Sequence, residues 1–395
     1  MGEKKRAVSA SPAMYKELLS LPGPLAKESF YTADNEKQPC AKKHKEIIAN
    51  EQRQINRQTV NKTEECMEDS MRVISMTELY DMVCPPRIPV IDDLLYGGTY
   101  LFAGAPKIGK SFFMAQLAYH VAKGIPLWSY PVHKGTVLYL ALEDDYARLQ
   151  QRLSHMFGVD SADNLYFATQ AKKLDEGLSG ELERFVKEHK DAKLIIIDTL
   201  QKVREYGGDK FSYASDYDIV TRLKKFSDMH NICLLVVHHT RKLESSDSFD
   251  MITGTNGLLG AADGAFVIQK EKRTENRAAL EIAGRDQQEQ RLLLCFNREQ
   301  CIWELVKAET ELWKEPADPT LELVAEFMDS RKEWSGTATE LLKYLPELNL
   351  QPNMLTRKLN ISKGKLYMDY HISYDCSRGH EGRRIVLKRL EEEPE

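Results

Sequence analysis

The chain has 395 residues, 42% of them apolar, and a formal net charge of -5. That length accommodates two folded domains, or one with appendages, and the apolar fraction suffices for a full core. The acidic balance excludes nucleic-acid binding by bulk charge, so any DNA contact must be local. No apolar run approaches the ~18 residues of a membrane span, and the start Met1-Gly2-Glu3-Lys4-Lys5-Arg6 lacks the apolar region of a secretory signal. The expectation is a cytoplasmic protein with no membrane partner. Its seven cysteines are scattered, without C-x-x-C or zinc-ligand spacing, and read as reduced thiols.

Residues 1–70 are polar and rich in Lys, Glu, Gln and Asn, with Pro12, Pro22 and Pro24 punctuating the start. Lys42 to Gln58 has helix-forming composition but little apolar stripe, so the zone reads as a flexible amino-terminal arm for an unidentified protein partner. Ile74 to Tyr80 then looks helical and Arg87 to Ile91 extended, leading into a core over 71–310. There, apolar runs alternate with helical segments, the order of a parallel sheet with right-handed crossovers.

Gly104, Ala105, Pro106, Lys107, Ile108, Gly109, Lys110 and Ser111 fill the pattern G-x-x-x-x-G-K-[ST]. The apolar run Thr99 to Ala103 precedes them and the helical segment from Phe112 follows. Strand, glycine loop and helix in that order make a phosphate-binding loop, whose backbone N–H groups, through Phe112, converge on phosphate oxygens. Lys110 brings a point charge to the β- and γ-phosphates, and Ser111 a hydroxyl for Mg²⁺. A nucleotide and Mg²⁺ are therefore the expected ligands, and the resemblance drawn below implies that the nucleotide is ATP.

A second metal-positioning carboxylate is expected at the end of a strand buried on both faces, and Leu194-Ile195-Ile196-Ile197-Asp198 supplies it. Asp198 joins Ser111 as a metal residue. The run Val137 to Leu142 ends in Glu143, either a general base for the attacking water or the start of an acidic turn; Asp144 and Asp145 fit the turn better. A fourth run, Ile232 to Val237, ends in His238 and His239, one of which is placed to hydrogen-bond the γ-phosphate.

These motifs, in this order, resemble the RecA-like superfamily of ring-forming ATPases over about Ile88 to Trp303. Within it the chain looks most like the RepA-type group, which includes a plasmid replicative helicase and ATPases of phages and mobile elements. The resemblance implies catalytic roles for Lys110, Glu143, Asp198 and His239, a homo-oligomeric ring, and an arginine supplied by the neighbouring subunit. Leu280 to Asp286 carries the matching strand and Gly-Arg turn. Arg285 either fills that role or is a surface arginine pairing Asp286.

Two loops, Glu205 to Tyr217 and Leu243 to Gly257, either fall where RecA-like rings face their channel, with single-stranded DNA as the implied partner, or are surface loops that order only on nucleotide binding. Lys202, Arg204, Lys210, Arg241 and Lys242 offer phosphate contacts, with Tyr206 and Phe211 for stacking. After Pro316 a second domain, 317–395, reads as three helices and a basic hairpin, resembling a winged helix that contacts duplex DNA or docks a protein. Between Arg357 and Arg389 nine basic residues outnumber three acidic ones. The fold expected is therefore α/β: a RecA-like P-loop core with a mostly parallel sheet, a winged-helix-like α+β domain and an unstructured arm. The function expected is an ATP-hydrolysing replicative helicase or DNA-translocating motor of a mobile element, or else a nucleotide-gated DNA-binding regulator or loader that never unwinds DNA.

Overall fold

The structure is a computed structural model that describes residues 71, 73–86, 88–204, 213–241, 247–252, 256–270, 272, 274–379 and 382–390. The expected Lys42–Gln58 helix lies outside those residues, as do Tyr206, Lys210, Phe211 and Lys242. Ser75–Glu395 form one compact unit.

A nine-stranded sheet organises the core. Its strands are β1 (Gly98–Gly104), β2 (Thr136–Ala141), β3 (Leu165–Ala168), β4 (Ala192–Asp198), β5 (Cys233–His239), β6 (Gly264–Gln269), β7 (Arg277–Gly284), β8 (Gln290–Asn297) and β9 (Ile302–Ala308). They run in the order β3-β2-β4-β5-β1-β6-β7-β8-β9. The first six in that order are parallel, and β7, β8 and β9 extend the sheet antiparallel from β6. All seven residues of β1 are buried because both faces of the sheet are covered. Phe102 enters one apolar layer with Tyr139, Ile196 and Val237, while Leu101 and Ala103 enter the other with Leu140, Ile197 and Val236. Period-2 alternation thus divides each strand between two cores.

Helices α1 (Met76–Asp81), α2 (Lys110–Lys123), α3 (Tyr146–Phe157), α4 (Leu178–Glu188), α5 (Leu200–Val203), α6 (Tyr213–His230) and α7 (Asn256–Ala261) supply the connections. The expected loop from Glu205 to Tyr217 is shorter than the sequence suggests, because its last residues open α6. Arg204 is also corrected as a surface phosphate contact. Its side chain is 8% exposed and pairs with the fully buried Asp216 of α6. A charge taken so far out of water needs its partner, which removes it from nucleic acid. The second expected loop contains a 3-10 turn, Phe249–Met251, and its end belongs to α7.

Past the sheet come α8 (Pro319–Asp329), β10 (Glu333–Gly336), α9 (Ala338–Tyr344), α10 (Pro352–Ile361), α11 (Lys363–Tyr370), β11 (Ile372–Gly379) and β12 (Gly382–Arg389). The Thr337–Glu340 capping box and Pro352 in the first turn of α10 start their helices as the spacing predicts. Two differences stand out. A fourth helix, α11, follows α10, and β10 adds a third strand, giving the antiparallel order β10-β12-β11. The residues expected as a loop over Asp375–Gly382 are mostly ladder, with Gly379 opposite Gly382. Helix α1, although it precedes the nine-stranded sheet, packs on this carboxyl-terminal region, and Val83 lies against its apolar cluster.

The antiparallel extension is tied to α2 by one side chain. Buried Gln116 donates Nε2–H to the Trp303 carbonyl (2.9 Å) and accepts from the Trp303 amide (2.8 Å). Gln116→Leu should leave the buried Trp303 amide unsatisfied, while the carbonyl keeps the Trp128 indole N–H, and cost about 1–3 kcal/mol of stability, measurable by denaturant unfolding. No change in the midpoint would show that β9 is held without it.

Candidate functional site: a phosphate-binding loop

Parallel register positions the loop. Gly104 at the end of β1 lies opposite His239 of β5 and Ile268 of β6. A Cβ at Gly104 would sit 2.6 Å from Ile268 Cγ2, so only glycine lets the chain turn off the strand there. Gly109, the residue before α2, has φ of 109°, and a Cβ on it would meet the Trp303 ring at 3.2 Å. Left-handed backbone and an indole close by therefore both require glycine. The Trp303 indole N–H donates to the Gly109 carbonyl at 3.3 Å, bracing the loop from outside.

Lys110 begins α2 and is 7% exposed. Its ammonium donates to the Gly104 and Ala105 carbonyls (2.9 and 3.1 Å) and lies 3.3 Å from His239 Nδ1. Burial pulls the Lys110 pKa down, against the opposing pull of the Asp198 and Glu143 carboxylates. Burial and the neighbouring ammonium also hold His239 below the ordinary histidine value, so its ring is neutral at pH 7 and Nδ1 accepts from the lysine. His238 is buried behind it, which leaves His239 as the histidine at the loop.

Ser111 Oγ donates to Asp198 Oδ2 at 2.7 Å, and the Tyr139 hydroxyl donates to the same oxygen at 3.0 Å. Burial pushes the Asp198 carboxyl up despite these two bonds. The pair offers hard oxygen donors beside a phosphate cradle, a donor set that fits Mg²⁺. Glu143 lies just beyond β2, is exposed, and accepts from Thr199 Oγ1 at 3.3 Å. Lys110, Ser111, Glu143, Asp198 and His239 thus gather at the carboxyl ends of adjacent parallel strands, where open α/β sheets bind ligands.

Arg285 is not among them. Its amide donates to the Asp263 carbonyl (2.8 Å) and its guanidinium to the Gly260 carbonyl (2.7 Å). Gly284 pairs with Gly264, the first residue of β6, whereas Gly104 pairs with Ile268 near the end of β6. Arg285 is therefore exposed at the edge of the sheet opposite its own phosphate loop.

Several site residues were not legible in the sequence. Asp144 binds Arg152 through both oxygens (2.5 and 3.1 Å), with side chains only 8% and 13% exposed, so it is more than a turn residue. Asp145 does cap α3, accepting from the Arg148 amide. The Arg152 guanidinium lies 5.3 Å from the Phe112 ring, and Phe112 is 5.6 Å from Phe296 of β8. Lys270 Nζ stands 5.2 Å from the Trp303 ring and 5.9 Å from Phe296. No local pattern announces Phe296 or Trp303, which reach the loop from strands late in the chain.

Residues 68–245 match the family model described as an AAA domain. That stretch holds the phosphate-binding loop Gly104–Ser111, Asp198 and His239. No curated protein matches the chain. Among solved structures, a DnaB-like replicative helicase described with its primase interactions is similar at 14% identity and a TM-score of 0.46, over 66% of this chain and 76% of that one. A solved ATPase domain gives the same identity and TM-score over 64% of this chain and 99% of its own. A KaiC-like protein from Pyrococcus horikoshii OT3 gives 14% and 0.41, over 57% and 99%. Among the described residues, no helix is long and apolar enough to cross a membrane.

Gly109→Ala tests the loop geometry. Forcing alanine to a φ of 109° costs about 1–3 kcal/mol, concentrated where phosphate binds. Calorimetric titration with inorganic triphosphate should show affinity roughly ten-fold weaker or worse, since 1.4 kcal/mol is a factor of ten. Unchanged affinity would mean that the loop does not carry the phosphates in this conformation.

Proposed function

We propose that the protein hydrolyses ATP in a homo-oligomeric ring and couples hydrolysis to DNA, as a replicative helicase or translocating motor of a mobile element. The observation that carries the reading is the meeting of Lys110, Ser111, Asp198, Glu143 and His239 at one end of the sheet. In this reading Lys110 exchanges its carbonyl partners for β- and γ-phosphate oxygens, and loop amides from Gly104 through Phe112 wrap the chain of phosphates. Ser111 and Asp198 would hold Mg²⁺, which supplies neutralisation of the charge that develops on the phosphates.

Glu143 accepts a proton from the attacking water, and Thr199 aims its carboxylate. Neutral His239 contacts the terminal phosphate and registers its departure. The carboxylates lie on the β4 side of β1, and Lys270, Phe296 and Trp303 on the β6–β9 side. A phosphate chain crossing β1 would bring the nucleoside toward Phe112, Phe296 and Lys270, an aromatic and cationic surface suited to stacking a base. Arg285, remote from its own loop and exposed, is proposed as the group reaching a neighbour's γ-phosphate. Exposed Lys202 and Arg241, which flank the channel-side segments, are the proposed contacts to single-stranded DNA. The carboxyl-terminal region is proposed to act as a winged-helix-like module toward duplex.

Lys110→Ala should abolish ATP turnover and greatly weaken ATP binding, whereas Glu143→Gln should bind ATP and hydrolyse it poorly. Normal turnover by the first sinks the reading, and by the second reduces Glu143 to a turn residue. Arg285→Ala should retain ATP binding but lose roughly 10³-fold or more in kcat. Mixing it with Lys110→Ala should restore activity, because some interfaces then combine an intact loop with an intact arginine. A mixture that co-assembles yet stays inactive removes the shared site. Wild-type ATPase rate, followed against protein concentration with single-stranded or duplex DNA, separates a motor from a regulator: single strands should stimulate the motor, and stimulation by duplex alone favours the regulator.

A further inference from the structure

The nine basic residues between Arg357 and Arg389 are mostly engaged within the protein. Lys358 pairs with Asp318 (2.8 Å), Lys388 with Glu333 (3.1 Å), Arg389 with Asp329 (2.8 Å) and Lys365 with Glu315. Those carboxylates lie in the same carboxyl-terminal stretch or the linker that enters it. Asp81 does not. It comes from α1, ahead of every strand of the nine-stranded sheet and 276 residues from Arg357, yet it takes two arginines at once. Arg357 Nε of α10 binds one oxygen at 2.9 Å, and Arg383 Nη2 of β12 binds the other at 2.7 Å.

Arg383 and then Arg357 hold the Asp81 carboxyl well below the usual carboxylate range. A helix and a strand of one region thus converge two guanidinium groups on a single anion. This is the arrangement that recognises a phosphodiester, whose charge and paired oxygens a carboxylate imitates.

The way α1 is held suits a removable stopper. It is six residues long, begins with a Ser75–Glu78 capping box and buries none of its side chains. Met76 and Leu79 are 66% and 48% exposed, so apolar burial contributes little to its seat. Polar contacts hold it instead. Beside the arginine pair, Asn360 donates Nδ2–H to the Tyr80 carbonyl at 3.0 Å, and its own Oδ1 is fixed by the Tyr374 hydroxyl at 2.6 Å. Asn360 and Tyr374 are both buried, which makes the seat a preformed one. Contacts between partly exposed charges weaken with salt and yield to a competing polyanion, whereas a buried apolar helix would not.

We propose that Arg357 and Arg383 form a phosphodiester-binding site of the carboxyl-terminal region, and that Asp81 closes it until a nucleic-acid backbone displaces α1. The proposal rests on the reading of this region as a nucleic-acid module. It adds that binding there releases the segment that leads into the first strand of the nine-stranded sheet.

The test is a binding titration of the full-length protein with a fluorescent 20-base-pair duplex, without nucleotide, so that the outcome is independent of whether the core hydrolyses ATP. Asp81→Asn keeps the shape and removes the charge. It should bind duplex about ten-fold more tightly than wild type, with a logarithmic salt slope steeper by about two, one counterion for each freed arginine. Adding Arg357→Ala and Arg383→Ala should cancel both gains. In the wild-type protein, hydrogen exchange at the Leu79 and Met82 amides, which bond within α1 and at its end, should quicken when duplex is added. Inorganic phosphate at the same phosphate concentration should leave it unchanged. The proposal is overturned if Asp81→Asn gains no duplex affinity. It is overturned equally if wild-type exchange does not respond to duplex, a readout that stands even should the variant fold poorly. Equal acceleration by inorganic phosphate would overturn the assignment to a polynucleotide in favour of free anions.

Discussion

The parallel pairing of β1 with β5 sets Gly104 opposite His239, and the rest of the site follows from that register. Because β5 also pairs with β4, Asp198 ends level with the same edge, and β2 brings Glu143 to it from one strand further out. Four strands remote in sequence therefore deliver an ammonium, an imidazole and two carboxylates to one place. Cβ atoms alternate between faces, so a slip of one residue would send Asp198 and His239 to the wrong layers and force every buried side chain of the strand into the opposite core. The two apolar layers, one on each face, are what make such a slip costly.

The loop rests in a state that anticipates a ligand. Two backbone carbonyls and a histidine satisfy the Lys110 ammonium, and Ser111 and Tyr139 satisfy Asp198, so no buried charge is left bare. These are exchangeable partners of modest strength. Phosphate offers Lys110 a charged acceptor where it now has neutral ones, and the exchange releases the Gly104 and Ala105 carbonyls. On the far side, Trp303 fixes Gly109 and is fixed in turn by Gln116 and the Trp128 indole, so the loop's outer wall moves only if β9 moves.

Much of this was legible in the sequence, because the signals are local. The loop announces itself by glycine spacing, and β4 and β5 by unbroken aliphatic runs that end in Asp198 and His239. The capping box at Thr337 and Pro352 fixed two helix starts. What remained hidden depends on contacts between distant segments. Trp303 against Gly109, Phe296 beside Phe112 and Arg204 with Asp216 follow from the sheet order and helix packing, which no window of sequence contains. Basic composition after Arg357 was visible, but its pairing with Asp81 was not, since α1 lies before the nine-stranded sheet and its partners lie after it. Counting charges along the chain overstated how many cations that region has to spare.

The account stands on the claim that one nucleotide phosphate chain replaces the internal partners of Lys110 while a divalent ion takes the oxygens of Ser111 and Asp198. An anomalous difference map from crystals grown with Mn²⁺ and a non-hydrolysable ATP analogue measures this directly. The account predicts a single metal peak between Ser111 Oγ and the Asp198 carboxylate, with Lys110 Nζ moved off the Gly104 and Ala105 carbonyls onto phosphate oxygens. A nucleotide bound elsewhere, or a metal at this loop with Lys110 still on its own backbone, would contradict it.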